Sequence, residues 1–517
     1  MARSIPPTNK ERKETMAAGK ALDGEPYAGN PHVRFDEVKV ASACTAEASL
    51  RREPCQRQPE GRASGCATPR RGSLLYSGMN RREFFKVSLM AGASSLVAAR
   101  LAAEGVDASG AVEAGAPDVT GGRLLASAPV LQNAAETSIG VSFAVNALAS
   151  GWVEISKSPD MSGAKRVYSG DCGLMDVNDR FALVRIRGLR PATRYWYRIG
   201  ADRMKFKRYR PYNLGSETDG KIHSFTTLGA ENTGSFCVIA DSHQRNPALG
   251  MTLAKLQELK PSVVIWNGDV TGNFNTTLDD AMKTFIHVHP DYPEYAADTP
   301  WMFVNGNHDF RGLFNRHLQD LMMFREPDER LPRYASLGRN FVQRLGDVAL
   351  IGLDTGEDKP DAHPSFGGVV KFGPYRRLQT RWLADMIETP AVKTAKFKVA
   401  FCHIPLYDAN PAHNAGDAID EGKAAAWHRP CAQMWGPLFE KAGVNLVITG
   451  HTHRFRHDPP GDGRTWDHIV CGGCDIWGRG ANRKFPTVIE GRVDGGRLVV
   501  KVHDCENGRI VFDKEFE

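Results

Sequence analysis

The stretch Trp301-Met302-Phe303-Val304-Asn305-Gly306-Asn307-His308-Asp309 decides the fold of this 517-residue chain. Four apolar residues, a length typical of a buried strand, pass directly into amide, imidazole and carboxylate side chains. In sheets with parallel strands, binding sites form where the carboxyl ends of the strands converge. The stretch therefore predicts a parallel strand whose end carries polar groups for binding or catalysis.

Four other apolar strands end in the same way. Residues 235–240 run into Asp241-Ser242-His243, residues 262–267 into Gly268-Asp269, residues 397–401 into Cys402-His403, and residues 445–449 into Gly450-His451-Thr452-His453. Residues 249–260, between the first two of these strands, have the spacing of a helix. Because strand ends can meet at one edge of such a sheet, we expect the five polar clusters to lie close together.

These strand ends supply candidate metal ligands of one chemical kind. The candidates are imidazoles, carboxylates and one amide: Asp241, His243, Asp269, Asn307, His403, His451 and His453. Such a mixed nitrogen and oxygen set suits Mn, Fe, Zn or Co, and it suits calcium alone or a cysteine-rich zinc site poorly. Seven ligands are too many for one tetrahedral ion, but they fit two ions about 3.5–4 Å apart that share a bridging carboxylate.

The order Asp-x-His, Gly-Asp, Gly-Asn-His-Asp, His and Gly-His-x-His resembles the calcineurin-like metallophosphoesterase family over residues 235–516. The resemblance implies a four-layer α/β/β/α domain and dinuclear-metal-dependent hydrolysis of phosphate esters. It assigns the ligands as follows: Asp241, His243 and His453 hold the first ion, Asn307, His403 and His451 hold the second, and Asp269 bridges them. In this reading a metal-bound hydroxide attacks in line, His308 protonates the leaving oxygen, and Asp309 orients the His308 ring.

The sequence departs from the purple acid phosphatase branch of this family at two positions. His243 stands where those enzymes have Gly, and Gly272 stands where they have a Tyr ligand. We therefore expect no iron–phenolate centre. The departures leave phosphatase and phosphodiesterase activity both open, including a cyclic-nucleotide phosphodiesterase or a nuclease. A non-catalytic exported binding protein is the remaining alternative, although no ligand of the family pattern is missing.

Residues 120–229 carry short runs of alternating apolar and polar residues bounded by Gly, Asn, Asp or Pro, which predict a β-sandwich. The run from Gly188 to Arg198 resembles a fibronectin type III domain, and the layout resembles two-domain purple acid phosphatases. We therefore predict a two-domain chain of mixed α+β and α/β class, with the hydrolase domain at residues 235–517. A cluster of Lys and Arg within residues 201–220 is interpreted as a solvated hairpin or loop.

The N-terminal part is predicted to be a leader. Residues 1–78 lack sustained periodicity and are interpreted as disordered or untranslated. Residues 79–108 open with Arg81-Arg82-Glu83-Phe84-Phe85-Lys86 and continue into a short apolar stretch, which resembles a twin-arginine export signal. The protein is therefore expected to use the twin-arginine export machinery and to reach the periplasm or the exterior.

Charge and hydropathy indicate which substrates and membrane contacts to expect. Residues 1–103 hold 17 Lys and Arg against 10 Asp and Glu, and the remainder has a balance of −1. This balance disfavours long nucleic acid as a substrate and leaves a small-molecule phosphate ester as the expected one. No uninterrupted apolar run of about 18 residues occurs, so we expect no integral membrane anchor.

Several other residues have open interpretations. Asp354 is a weak candidate for a carboxylate that orients a ligand imidazole by a hydrogen bond. Arg454 and Arg456 either face substrate anions or are solvated. Cys471 and Cys474 form either a disulfide or two buried thiols. Substrate choice is expected to depend on residues 406–430 and 271–300, whose loops the sequence does not resolve further.

Overall fold

The computed structural model describes residues 122–517, except residues 245–246, 273–276, 327, 409–428, 462 and 481–482. The predicted leader and export signal lie outside the described residues, and so does most of the 406–430 segment. No described helix combines the length and apolar character that crossing a bilayer requires.

The first part of the described chain is made of short strands. They are β1 (Val130–Gln132), β2 (Ser138–Ala144), β3 (Ala149–Ser156), β4 (Lys165–Tyr168), β5 (Gly170–Asp171), β6 (Leu174–Met175), β7 (Phe181–Arg187), β8 (Arg194–Lys207), β9 (Arg210–Thr218) and β10 (His223–Thr226). Alternating burial along β7 matches the alternation in its sequence, because successive side chains of a strand point to opposite faces.

The second part alternates strands and helices. The strands are β11 (Phe236–Ile239), β12 (Val263–Asn267), β13 (Trp301–Val304), β14 (Phe341–Leu345), β15 (Val348–Leu353), β16 (Phe397–Cys402), β17 (Leu446–Thr449), β18 (Arg456–Asp458), β19 (Asp467–Val470), β20 (Thr487–Asp494), β21 (Arg497–Asp504) and β22 (Arg509–Phe516). The helices are α1 (Ala248–Leu259), α2 (Leu278–Phe285), α3 (Phe372–Met386), α4 (Pro390–Lys393) and α5 (Arg429–Ala442).

Two sheets form the centre of the second part. One has nine strands in the order β22-β21-β20-β11-β12-β13-β1-β2-β7, and the other has six in the order β14-β15-β16-β17-β19-β18. Strands β11, β12 and β13 are parallel to one another, and so are β15, β16, β17 and β19. The parallel strands of each sheet therefore end at one edge.

The two sheets pack face to face, and helices cover their outer faces. Phe236 and Val238 of β11 share a core with Val399 of β16, whereas Cys237 of β11 packs in a separate cluster with α1 and α2. The outer face of the six-stranded sheet packs against α3 and α5 through residues such as Leu353. This is the expected four-layer α/β/β/α metallophosphoesterase arrangement.

The N-terminal strands do not form a separate pair of sheets. Strand β1 pairs in parallel with β13, at Gln132 and Trp301, so β1, β2 and β7 extend the nine-stranded sheet. The five-stranded sheet of β10, β8, β3, β4 and β9 packs on that extension through a common core. A sandwich is thus present, but one of its sheets continues into the nine-stranded sheet of the second part, where β1 covers the otherwise open edge of β13.

Candidate metal centre

The structure brings all seven predicted ligands together at the carboxyl ends of the parallel strands. Two ligand clusters share Asp269: one contains Asp241, His243 and His453, and the other contains His403 and His451. The carboxamide oxygen of Asn307 lies 2.9 Å from His451 Nδ1 and joins the second cluster. We call Asp241, His243 and His453 the first half-site, and Asn307, His403 and His451 the second half-site.

The first half-site is compact. The Nε2 atoms of His243 and His453 are 3.1 Å apart. His453 Nε2 lies 3.4 Å from Asp241 Oδ1, and His243 Nε2 lies 3.7 Å from Asp269 Oδ2. Asp241 is fully buried, whereas 19% of the His453 side chain is exposed. This half-site therefore has an opening to solvent at His453.

The second half-site lies deeper. His403 is fully buried, and its Nε2 atom is 3.1 Å from Asp269 Oδ2 and 3.7 Å from Asp241 Oδ1. The backbone N–H of His451 donates to both carboxylate oxygens of Asp241, each at 2.9 Å. The two half-sites are thus connected through Asp241 as well as Asp269.

Five ligands adopt a backbone conformation that residues other than glycine rarely occupy. The φ angles are +53° for Asp241, +45° for His243, +50° for Asp269, +73° for His451 and +55° for His453. Each such residue costs about 1–3 kcal/mol, and the cost persists only where the surrounding structure enforces it. Sharp turns directly after the strands therefore aim these side chains at one point, as expected of a functional site.

The glycine before Asn307 is needed for space. A Cβ atom on Gly306 would lie 2.2 Å from Asp269 Oδ1. The tight approach lets the backbone N–H of His308 donate to Asp269 Oδ1 at 2.8 Å. The motif Gly-Asn-His-Asp thus fixes the bridging carboxylate as well as supplying a ligand.

The hydrogen bonds of the imidazoles fit bound cations. His243 Nδ1 donates to the Thr271 carbonyl oxygen at 3.1 Å, and His453 Nδ1 donates to Asp475 Oδ2 at 2.9 Å. Since these bonds occupy both Nδ1–H groups, the facing Nε2 atoms of the neutral rings both present lone pairs, which repel without a cation between them. His403 Nδ1 likewise donates to the carbonyl oxygen of Asn267, so its Nε2 atom faces the carboxylate of Asp269.

Burial and charge shape the protonation of this cluster. Burial lowers the pKa of His243 to about 4, so this imidazole is neutral and able to bind metal at neutral pH. Burial alone would also lower the pKa of His403, but the carboxylates of Asp269 and Asp241 raise it to about 10. The raised pKa of His403 reflects two carboxylates close to its Nε2 atom, at the position where a cation would be held.

The two predicted catalytic residues differ in their surroundings. His308 Nε2 lies 3.9 Å from Asp269 Oδ2, and 24% of its side chain is exposed, so this ring can reach a substrate. Asp309 is fully buried, and its carboxylate accepts hydrogen bonds from the backbone N–H groups of Thr271 and Gly306. Its carboxylate thus holds the loops that carry the predicted ligands. Asp309 therefore supports the backbone around His308, and it does not orient the His308 ring directly as the sequence had led us to expect.

The sequence did not reveal an arginine beside His308. Arg311 Nη1 lies 3.3 Å from His308 Nε2. Its guanidinium is held by both oxygens of Glu357, at 3.1 and 2.9 Å, and by Asp358 at 3.0 Å. Arg311 follows the Gly-Asn-His-Asp motif by two residues, but nothing in the sequence indicates that its partners come from the loop after β15.

A second feature missed by the sequence is the loop after β19. Asp475 accepts from His453 and also from Lys484 Nζ at 3.0 Å. The signal in the sequence was weak, because β19 is half polar and Asp475 follows its last residue by five positions. Cys471 and Cys474 in this loop are buried, and Cys474 Sγ lies 3.9 Å from His453 Nδ1.

Two other candidates lie apart from the ligands. Asp354 is buried and accepts from the Gly356 backbone N–H and the Tyr375 hydroxyl, so it organises its own loop. Arg456 pairs with Asp458 and donates to the Tyr407 carbonyl oxygen. Neither side chain belongs to a cluster of metal ligands.

Comparison with known proteins gives a consistent result. Residues 234–455 match the calcineurin-like phosphoesterase family. Probable purple acid phosphatase 20 of Arabidopsis thaliana is 24% identical over 249 residues, which are 47% of this chain and 51% of that protein. Purple acid phosphatase 3 of the same plant is 26% identical over 299 residues, 54% of this chain and 75% of that protein. The chain thus spans about half the length of the first of these relatives.

A solved structure agrees in fold. The purple acid phosphatase from yellow lupin (Lupinus luteus) seeds superposes with a TM-score of 0.51 at 15% identity, covering 75% of this chain and 73% of that chain. The likeness concerns the fold, since identity is low. The matched residues 234–455 contain all seven ligands.

Proposed function

We propose that this chain, through the calcineurin-like phosphoesterase domain at residues 234–455, hydrolyses phosphate esters with two transition-metal ions. The observation that carries the proposal is that two ligand clusters share the carboxylate of Asp269. The donor set suits Mn, Fe or Zn. Two ions bound there would lower the pKa of a water molecule and neutralise charge on phosphoryl oxygens.

His308 is the residue that would hold and deliver a proton. Its Nε2 atom faces the bridging Asp269, and its ring is partly exposed. An imidazole in this position can donate a proton to the leaving oxygen of an ester. Asp309 supports this role indirectly, because it fixes the backbone at Gly306 and Thr271 on both sides of the ring.

Arg311 would keep a positive charge at the mouth of the centre. Glu357 and Asp358 fix its guanidinium, so little side-chain entropy remains to be lost when an anion binds. Its Nη1 atom lies 3.3 Å from His308 Nε2, so a phosphate that contacts His308 would also be within its reach. The arrangement favours a phosphate group held between Arg311 and the ligands.

The type of ester remains the finer question. The relatives are purple acid phosphatases by name, yet Gly272 replaces their Tyr ligand here, and His243 supplies an imidazole to the first half-site. We therefore propose a centre without a phenolate ligand, acting as a phosphatase or a phosphodiesterase on a small-molecule ester. A cyclic-nucleotide phosphodiesterase or a nuclease is the alternative within this fold.

The N-terminal proposals concern export and domain type. The Arg81-Arg82 motif supports a twin-arginine signal, with cleavage before the folded part and a periplasmic or extracellular location. The fibronectin type III likeness of the sandwich rests on residues 188–198. Both are tested by the intact mass of the native protein and by the measured topology of the sandwich.

The activity is tested with p-nitrophenyl phosphate and bis(p-nitrophenyl) phosphate, assayed side by side on Mn-reconstituted protein with Asp269→Asn as the control. Hydrolysis of the diester alone indicates a phosphodiesterase, and hydrolysis of the monoester indicates a phosphatase. Loss of both in Asp269→Asn supports the dinuclear centre. If neither ester reacts while two ions are bound, and a panel of nucleotides and sugar phosphates also fails, the proposal is wrong.

A further inference from the structure

The β8–β9 hairpin extends beyond the sheet to which it belongs. Pairing between β3 and β8 ends at Ala149 and Arg203, the first residue of β3 and the tenth of β8. From there β8 continues to Lys207, and β9 returns from Arg210. The tip of this hairpin therefore projects past the end of the five-stranded sheet.

The short β5–β6 hairpin leaves the same end of the sheet. Strand β4 runs antiparallel to β3 and reaches its beginning, where Tyr168 pairs with Trp152. Beyond the hairpin, Asn178 forms a bridge with Ala149, the residue that also pairs with Arg203. Since β4 and β8 flank β3, the roots of the two hairpins are about 10 Å apart, two strand spacings.

Both tips expose large apolar side chains. The exposed fractions are 76% for Leu174 and 60% for Met175 on the β5–β6 hairpin, and 46% for Phe206, 78% for Tyr209, 44% for Tyr212 and 53% for Leu214 on the β8–β9 hairpin. Single exposed apolar residues are normal on a protein surface, but a group at one end of a sheet marks an interaction site.

The longer hairpin is also strongly basic. Residues 203–216 contain no Asp or Glu. Lys207 and Arg210 stand directly opposite each other, although like charges in this position are destabilising. Within the described part of the chain, no carboxylate lies within ion-pair distance of Lys207, Arg208 or Arg210. An anionic partner outside the chain would compensate this repulsion.

We propose that the β5–β6 and β8–β9 hairpins dock the protein onto a membrane surface that contains anionic phospholipid. The cations would lie among the headgroups, and the two tyrosines would sit at the polar–apolar boundary, where such rings are enriched. Leu174 and Met175 would enter the acyl boundary, and Leu214, which lies near the root of the longer hairpin, would add apolar contact closer to the protein. The aliphatic side chains beside these rings favour lipid over single-stranded nucleic acid, because they provide no flat surface on which bases stack.

The proposal is tested by co-sedimentation of the full chain with vesicles of phosphatidylcholine alone or with one quarter phosphatidylglycerol. The variants are Tyr209→Ser/Leu214→Ser and Lys207→Gln/Arg210→Gln, both at exposed positions of the hairpin. The matched control is Arg509→Gln/Ile510→Ser, where 51% of Ile510 is exposed on another hairpin beside a cation. Thermal melting checks that all three variants fold.

We expect binding to the anionic vesicles only, with the control variant unchanged. Loss of two cations should weaken binding roughly 25-fold, about fivefold for each cation near the surface. Loss of Tyr209 and Leu214 should weaken it at least about tenfold. Equal binding to both kinds of vesicle, no binding, or equal loss in the control would overturn the proposal. So would binding of a single-stranded oligonucleotide with no binding to vesicles.

Discussion

The two half-sites share a bridging carboxylate but are built from different parts of the fold. In the second half-site, His403 is fully buried, and its ring donates to the carbonyl oxygen of Asn267 at the end of β12 in the facing sheet. In the first half-site, 19% of the His453 side chain is exposed, and its ring donates to Asp475 on the loop after β19. One imidazole is therefore oriented by a sheet and the other by a loop.

This difference predicts a rigid position for the His403 ring and a more adjustable position for the His453 ring. A carbonyl oxygen at the end of a strand moves only if the sheet moves, whereas a carboxylate on a loop depends on its own supports. Asp475 has such a support in Lys484. We therefore expect the second half-site to hold its ion more firmly, and the first half-site to respond to changes in the loop.

The largest effect should come from removing the ligand that both half-sites share. Asp269→Asn takes a negative charge from the centre and should lower ester hydrolysis by more than about 100-fold. This loss is larger than the loss caused by mutating a residue that only hydrogen-bonds to a ligand. Bound metal, measured by mass spectrometry of the native protein, should fall at both half-sites. Loss of only one ion would contradict the bridging role, and Asp494→Asn at an exposed position serves as the control.

The next prediction compares the histidine supported by a sheet with the histidine supported by a loop. His403→Gln and His453→Gln each remove one imidazole, so each should lose one ion. Only His403→Gln should also destabilise the metal-free protein, by about 1–3 kcal/mol, because a buried hydrogen bond to Asn267 is lost. Calorimetry in the presence of a chelator measures the difference. Equal melting temperatures for the two variants would contradict the comparison.

The sequence predicted the positions of the candidate ligands better than it predicted the groups that hold the ligand loops in place. All seven predicted ligands follow apolar runs, and the parallel strands of two sheets bring them together, with Asn307 beside His451. The role expected for Asp309 failed because adjacency in sequence says nothing about which way a buried carboxylate points. Its partners, Thr271 and Gly306, are set by turns that only the folded chain defines.

The fold shows the same limit. The alternation of apolar residues predicted the strands, because side-chain period follows directly from backbone geometry, whereas the four layers were implied by the family resemblance. The sharing of one sheet between the N-terminal strands and the second part of the chain was not predictable, since it depends on the pairing of Gln132 with Trp301 across 169 positions of sequence. Arg311 was missed for a similar reason, because Glu357 and Asp358 reach it from a distant loop.

A smaller effect should follow from removing the partner behind the first half-site. Asp475→Asn keeps the shape of the side chain but weakens the acceptor of the His453 Nδ1–H, so affinity at the first half-site should fall about 10–100-fold. The second half-site should keep its ion. Metal titration followed by calorimetry resolves the two steps, and Asp494→Asn should leave both unchanged. Weakening of both steps would mean that the loop supports the whole centre.

The smallest effect should come from the lysine that supports this partner. Lys484 Nζ donates to Asp475 Oδ2, the same oxygen that accepts the hydrogen bond of His453, and 17% of its side chain is exposed. Pairs as accessible as this contribute about 0–1 kcal/mol, so Lys484→Met should weaken the first half-site by no more than about fivefold. Lys484→Met has two opposing effects on metal affinity. It removes the donor that holds Asp475 and thereby the His453 ring, which weakens binding, and it removes a cation that repels the metal, which strengthens binding. We expect the first effect to be larger, and Lys484→Arg, which keeps both donor and charge, to restore affinity. Tighter metal binding in Lys484→Met would mean that charge, and not the position of the loop, governs the first half-site.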